Sequence, residues 1–100
     1  MLLEAKPSRY RDAVPRGEDV LLLVEVSDSS LRYDRGRKLD AYARAGIREV
    51  WIVDVNSGRV ERYADLALAR YTTTDIVIRG GALAPRAFPD DALFVDDFFP

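Results

Sequence analysis

Val20 to Val26 (VLLLVEV) is a seven-residue run that is apolar except for Glu25. An unbroken run of branched apolar residues suits a strand covered on both faces, as in a parallel or mixed sheet. Ser27, Asp28, Ser29 and Ser30 end the run and offer helix-capping side chains. From about Leu31 to Ala45 the period becomes helical, with Leu31, Asp34, Lys38, Tyr42 and Ala45 on one face. Gly46 suits the residue just past a helix end. Glu49 to Val55 (EVWIVDV) reads as a second, largely apolar strand. A strand, a helix and a strand with short joins form a crossover unit, which places the two strands parallel. The expected class is therefore α/β or α+β, with a mixed central sheet.

Glu25 is the residue out of place. A carboxylate inside a buried run needs a partner or a metal. It also lies near the carboxyl end of its strand, where open α/β sheets place their sites. The bland alternative is a Glu at a strand mouth paired with an Arg.

Composition narrows the available chemistry. The 100 residues suit one domain of modest size, 48% hydrophobic and 32% charged, as in soluble globular proteins. The chain has no Cys, which removes disulfides and thiolate metal sites. It has no His, the commonest general base and metal ligand. Catalysis would fall to carboxylates, Lys, Ser, Tyr or a hard oxygen-bound cation such as Mg²⁺. No apolar run approaches the ~20 residues of a membrane span and no signal peptide is evident, so the expected compartment is cytoplasmic.

The net charge of −2 argues against a generally basic nucleic-acid binder. The charge is uneven, however. Residues 31–48 hold six basic side chains (Arg32, Arg35, Arg37, Lys38, Arg44, Arg48) against Asp34 and Asp40, a local +4 that leaves −6 on the rest. A basic helix beside a carboxylate site could meet phosphates, although charge alone equally describes a solvated helix face.

Elsewhere the pattern is plainer. Leu2 and Leu3 could end a strand, Pro7 to Val14 reads as a helical turn or loop, and Pro15 to Glu18 as a turn. Asn56-Ser57-Gly58 is a turn signal, so Arg59 to Tyr63 should pair back on EVWIVDV as a hairpin. Ala67 to Thr73 and Asp75 to Arg79 read as two further short strands, and Ala82 to Ala87 as irregular chain. The ending, Phe88 to Phe99, suggests an edge strand at Ala92 to Val95 and aromatics used in a core or a dimer interface. Val20, Leu22, Leu23, Val24, Leu39, Tyr42, Trp51, Ile52 and Val53 should form one core beneath the helix.

The segment LLVEVSDSSLRYDRGRKLDAYARAGIREVWIVD, read with positions 32, 36, 37, 40, 41 and 48 free, resembles the signature of the Uma-type endonucleases. These form a bacterial family within the PD-(D/E)XK restriction-endonuclease-like superfamily. The specific match covers Asp19 to Asp54, with a looser likeness through the Phe-rich ending. The resemblance implies a mixed sheet flanked by helices and a Mg²⁺-dependent endonuclease acting on DNA.

Residue by residue, Glu25 matches the acidic position of the (D/E)XK strand and would be both catalytic and a metal ligand. Ser27 stands where the superfamily expects Lys. The family pattern moves that Lys to the following helix, where Lys38 fits it. Asp34, one turn earlier, would orient Lys38 or serve as an acid at the helix N-terminus. Outside the resemblance, Asp34 and Lys38 read as an ordinary i,i+4 pair worth ~0.3–0.5 kcal/mol.

The superfamily also places an Asp on the strand before this Glu. Asp19 is too far along the chain, roughly 20 Å at ~3.3 Å per extended residue. Laid over the family pattern, the Asp falls just before Met1, so residues 1–100 read as a single domain lacking its N-terminal part. Asp54 better suits a strand cap, and Glu49 opens its strand at the wrong end. The alternative to an endonuclease is a non-catalytic binding or dimerisation module on the same fold, with a homodimer as its simplest form. An unrelated small α/β protein with a salt-bridged Glu25 is the remaining reading.

Overall fold

The computed structural model describes residues 2–4, 20–27 and 32–99, with side chains described for 20–27 and 36–99. The readings placed on Pro7 to Val14, the Pro15 to Glu18 turn, the Asp28 to Ser30 caps, and the Leu31 and Asp34 side chains lie outside these residues.

The apolar run becomes β2 (Val20–Ser27), between β1 (Leu2–Glu4) and β3 (Val50–Asp54). Strands β4 (Arg59–Ala67) and β5 (Arg70–Ile78) complete a five-stranded sheet of order β1-β2-β3-β4-β5. The crossover through helix α1 (Arg32–Arg44) makes β2 and β3 parallel, with Leu23 opposite Val50 and Ser27 opposite Asp54. All other pairings in the sheet are antiparallel. The mixed α+β class read from the strand–helix–strand stretch is the one observed.

Helix α1 stops for a local reason. Gly46 has φ 85°, its N–H donates to the Ala43 carbonyl, and the Ile47 N–H donates to the Tyr42 carbonyl at 3.1 Å. This double closure of orphan carbonyls is the Schellman arrangement, which glycine adopts without a Cβ penalty.

The expected single core is in fact two. Leu22, Val24, Trp51, Val53 and Val60 point to the face away from the helix, with Leu83 and Val95. Val20, Ile47, Val50 and Ile52 lie on the helix side, joined by Leu23, Leu39 and Tyr42. The reason is the period of two along each strand, which sends successive side chains to opposite faces of the sheet, with an irregularity of register at the start of β2 turning Val20 to the helix side. Runs buried on both faces hide that alternation in the sequence.

The Asn56–Gly58 hairpin forms as expected, Asp54 opposite Arg59 through Val50 opposite Tyr63. The next hairpin differs from its reading. Ala67 to Thr73 is not one strand: β4 continues to Ala67, turns at Leu68 and Ala69, and returns as the nine-residue β5. Both turn residues have positive φ, 51° and 60°. That geometry is the tight hairpin turn that Asn and Gly normally occupy, so its residues gave no turn signal.

The chain then crosses to the face away from the helix. The segment read as irregular contributes β6 (Ala82–Leu83), which pairs with β7 (Leu93–Phe94), and a 3₁₀ turn spans Val95–Phe98. Phe98 packs edge-on against Trp51, with ring centroids 6.2 Å apart. Phe98 and Phe99 thus serve the core, while Phe94 remains exposed. No helix among the described residues is long and apolar enough to cross a membrane.

Candidate functional site

Alternation along β2 puts Glu25 on the helix side of the sheet, and strand register extends its row across Ile52, Glu61 and Ile76. Lys38 and Tyr42 sit one helical turn apart on α1, so their side chains descend toward the same stretch of strand. They meet Glu25 there. Lys38 Nζ donates to Glu25 Oε1 at 2.6 Å, and the Tyr42 hydroxyl donates to Oε2 at 3.1 Å. The Glu25 side chain keeps 21% of its surface exposed and Lys38 keeps 41%. A pair this open contributes on the order of 1 kcal/mol or less to stability. Burial, then the charge of Glu25, then its hydrogen bond raise the Tyr42 phenol above its ordinary value, against an opposing effect of Lys38. Tyr42 therefore stays a protonated donor at neutral pH.

Glu25 and Lys38, which the family resemblance singled out, are thus in contact. Asp34 lies on α1 one turn before Lys38, with its side chain outside the described residues. Ser27 closes β2, its carbonyl accepting from the Val55 N–H at 2.9 Å. Asp54 is buried and caps its strand end, with Oδ1 accepting from the backbone N–H of Asn56 and Ser57.

Glu49 stands at the other end of β3 and is committed to structure. Its Oε2 accepts from Trp51 Nε1 and its Oε1 from the Arg86 backbone N–H, both at 2.7 Å. Arg62 comes within 4.0 Å of it and is itself held by Asp75 and the Ala84 carbonyl. Glu61 is a buried carboxylate that the sequence reading passed over. It accepts from the Tyr63 hydroxyl at 2.7 Å and pairs with Arg59 at 3.2 Å. Its signal was the alternation Arg59, Glu61, Tyr63, which places all three on the helix side.

A Mg²⁺ ion takes six oxygens at about 2.0–2.1 Å in near-octahedral geometry, usually from one or two carboxylates, waters and a phosphate. Among the described residues no three acidic side chains gather into a metal-holding group. Glu25 offers one carboxylate, already in contact with an ammonium and a phenol. These residues do not by themselves fit the ion.

No curated protein matches the chain. The family described as "Uma2: Putative restriction endonuclease" matches residues 2–94. That span runs through β1, the Glu25 strand, the Lys38 helix and the C-terminal strand pair, and it covers most of the chain. The chain belongs to the Uma2 family of putative restriction endonucleases, within the PD-(D/E)XK superfamily.

Proposed function

We propose that this domain is an endonuclease module for DNA, with its phosphodiester-facing site built on Glu25 and Lys38. The observation that carries the reading is the 2.6 Å contact of these two side chains, delivered from a strand and a helix that belong to the family-matched span. In this role Glu25 supplies the strand carboxylate. Lys38 orients the attacking water or steadies the charged phosphorane, and Asp34 orients Lys38. Hydrolysis of a phosphodiester at neutral pH also calls for a bound metal that activates water and neutralises developing charge. With DNA as the substrate, the compartment is the cytoplasm.

One carboxylate is too little for such an ion, so residues 1–100 should bind Mg²⁺ weakly and cut DNA slowly or not at all. The sheet register supports a remedy. Strand β1 runs antiparallel to β2 with Leu3 opposite Leu22 and Leu2 opposite Leu23. A strand continued upstream in the same register would bring a residue before Met1 opposite Glu25. We propose that the working site takes its second carboxylate from an Asp on such an upstream extension of β1.

The test is plasmid nicking with Mg²⁺ or Mn²⁺ against an EDTA control, on the 100-residue chain and on a chain extended by a strand bearing Asp at that position. The extended chain should nick in a metal-dependent way. Robust nicking by the short chain that survives Glu25→Ala would overturn the reading.

A binding or dimerisation module on the same fold is the second reading, favoured by one observation. Strand β5 forms the end of the sheet opposite β1 and leaves Ile76 and Ile78 exposed. A long edge strand with exposed apolar residues is a template for pairing with a second copy.

A further inference from the structure

The two groups that reach Glu25 differ in freedom. Lys38 ends a long flexible side chain, 41% exposed, whose ammonium can reorient toward another anion. Tyr42 cannot move so easily. Its ring packs in the helix-side cluster with Val20, Ile47, Val50 and Ile52. Its own carbonyl receives the Ile47 N–H that closes α1. The Ile47 carbonyl in turn accepts the Tyr71 hydroxyl at 2.7 Å, which ties the helix end to β5. The backbone that carries the phenol is therefore anchored at both the helix end and the far hairpin. Each donor takes a different oxygen of Glu25, Lys38 on Oε1 and Tyr42 on Oε2.

We propose that Tyr42 is a positioning residue, whose hydroxyl fixes the Glu25 carboxylate in one orientation while Lys38 exchanges from that carboxylate to a substrate phosphate. The proposal rests on the reading of Glu25 and Lys38 as the phosphodiester-facing pair. The division of labour follows from the physics. A carboxylate held by two mobile donors would rotate whenever the lysine left. A carboxylate held on one oxygen by a packed phenol keeps its other oxygen aimed at the same point. Preorganisation of this kind matters because small misplacements of a reacting group can cost large factors in rate.

The experiment uses Tyr42→Phe, which keeps the ring in its cluster and removes only the hydroxyl. The first readout is the side-chain rotamer population of Glu25 in the 100-residue chain, from three-bond couplings to its labelled carboxylate carbon. The parent chain should show one dominant rotamer, Lys38→Met should retain it, and Tyr42→Phe should average among several. A purely structural Tyr42 would leave Glu25 in one rotamer in the Phe variant, and that result overturns the proposal. The second readout is plasmid nicking by the chain extended with the upstream Asp. There Tyr42→Phe should lower kcat about tenfold with KM for DNA unchanged, the pattern of an interaction made in the transition state. A KM effect alone would contradict positioning. Rotamer averaging in a protein that never nicks DNA would leave the positioning role standing and sink the nuclease reading, so the two failures are separable.

Discussion

Glu25 and Glu49 sit at opposite ends of the same parallel strand pair, and each has both carboxylate oxygens in hydrogen bonds. The difference lies in who holds them. Glu49 is 1% exposed and is bound by a buried indole and a backbone amide, with the partly buried Arg62 nearby. Glu25 is one-fifth exposed and is bound by two side chains from a helix, one of them open to solvent. A carboxylate whose donors are buried and backbone-borne is a rivet, because its removal strands them without water to replace it. A carboxylate whose main donor is a mobile ammonium can trade partners. The same residue type thus does structural work at the amino end of β3 and stays available at the carboxyl end of β2.

The largest expected effects fall at the rivet. Trp51→Ala, which removes a fully buried side chain and the ring against Phe98, should cost about 3–5 kcal/mol by urea or thermal unfolding. Glu49→Ala should follow at about 3 kcal/mol, since it orphans the Trp51 and Arg86 N–H groups and takes one carboxylate partner away from Arg62. By contrast, Glu25→Ala should cost about 1 kcal/mol or less in the same assay. A Glu25 variant as unstable as the Glu49 variant would erase the distinction and make Glu25 a second rivet.

A gain should come from the β4–β5 turn. Leu68 is 98% exposed, and both Leu68 and Ala69 occupy the left-handed region. Left-handed backbone costs a non-glycine residue about 1–2 kcal/mol. Leu68→Asn with Ala69→Gly should therefore raise the unfolding free energy by about 1–2 kcal/mol, and no change in the melt would refute the turn geometry.

The pH effects are smaller. The Thr73 hydroxyl and then Arg86 hold the Asp65 carboxyl below its ordinary value. A depressed carboxyl contributes stability above its unfolded value of about 3.9 and loses it as pH falls through the folded one. Asp65→Asn should flatten the acid limb of the stability profile slightly, below about pH 4. At the alkaline end, burial raises Tyr71, and the charge of Tyr42 adds to it. A raised phenol contributes stability that is fully present below its unfolded value near 10 and is lost as pH rises through the folded value. Tyr71→Phe should soften the fall in stability above about pH 10, read from melts across that range.

The elements that carry the candidate site were legible because their determinants are local, whereas Lys38 was singled out through the family resemblance. The apolar run, the helical period and Gly46 are short-range signals, and they placed β2, α1 and β3 close to where they lie. The phase that set Lys38 on the strand-facing side of α1 also set Tyr42 there, yet an aromatic at helical spacing reads first as core. Tyr42 is both, and only the sheet register reveals that its hydroxyl lands on Glu25. Glu49 was opaque for another reason. Its backbone partner, Arg86, lies 37 residues away, and no periodicity announces a contact made through a chain reversal. The Leu68–Ala69 turn was invisible because neither residue carries turn chemistry. There the hairpin is imposed by the long β4–β5 ladder.

The most direct measurement is a paired one on the chain extended with the upstream Asp: plasmid nicking and thermal melting of Glu25→Ala and Lys38→Ala beside the parent. Both variants should lose metal-dependent nicking while melting within a few degrees of the parent, since the open pair contributes on the order of 1 kcal/mol or less. Nicking that persists in both variants, at parent-like stability, would contradict a phosphodiester site built on Glu25 and Lys38.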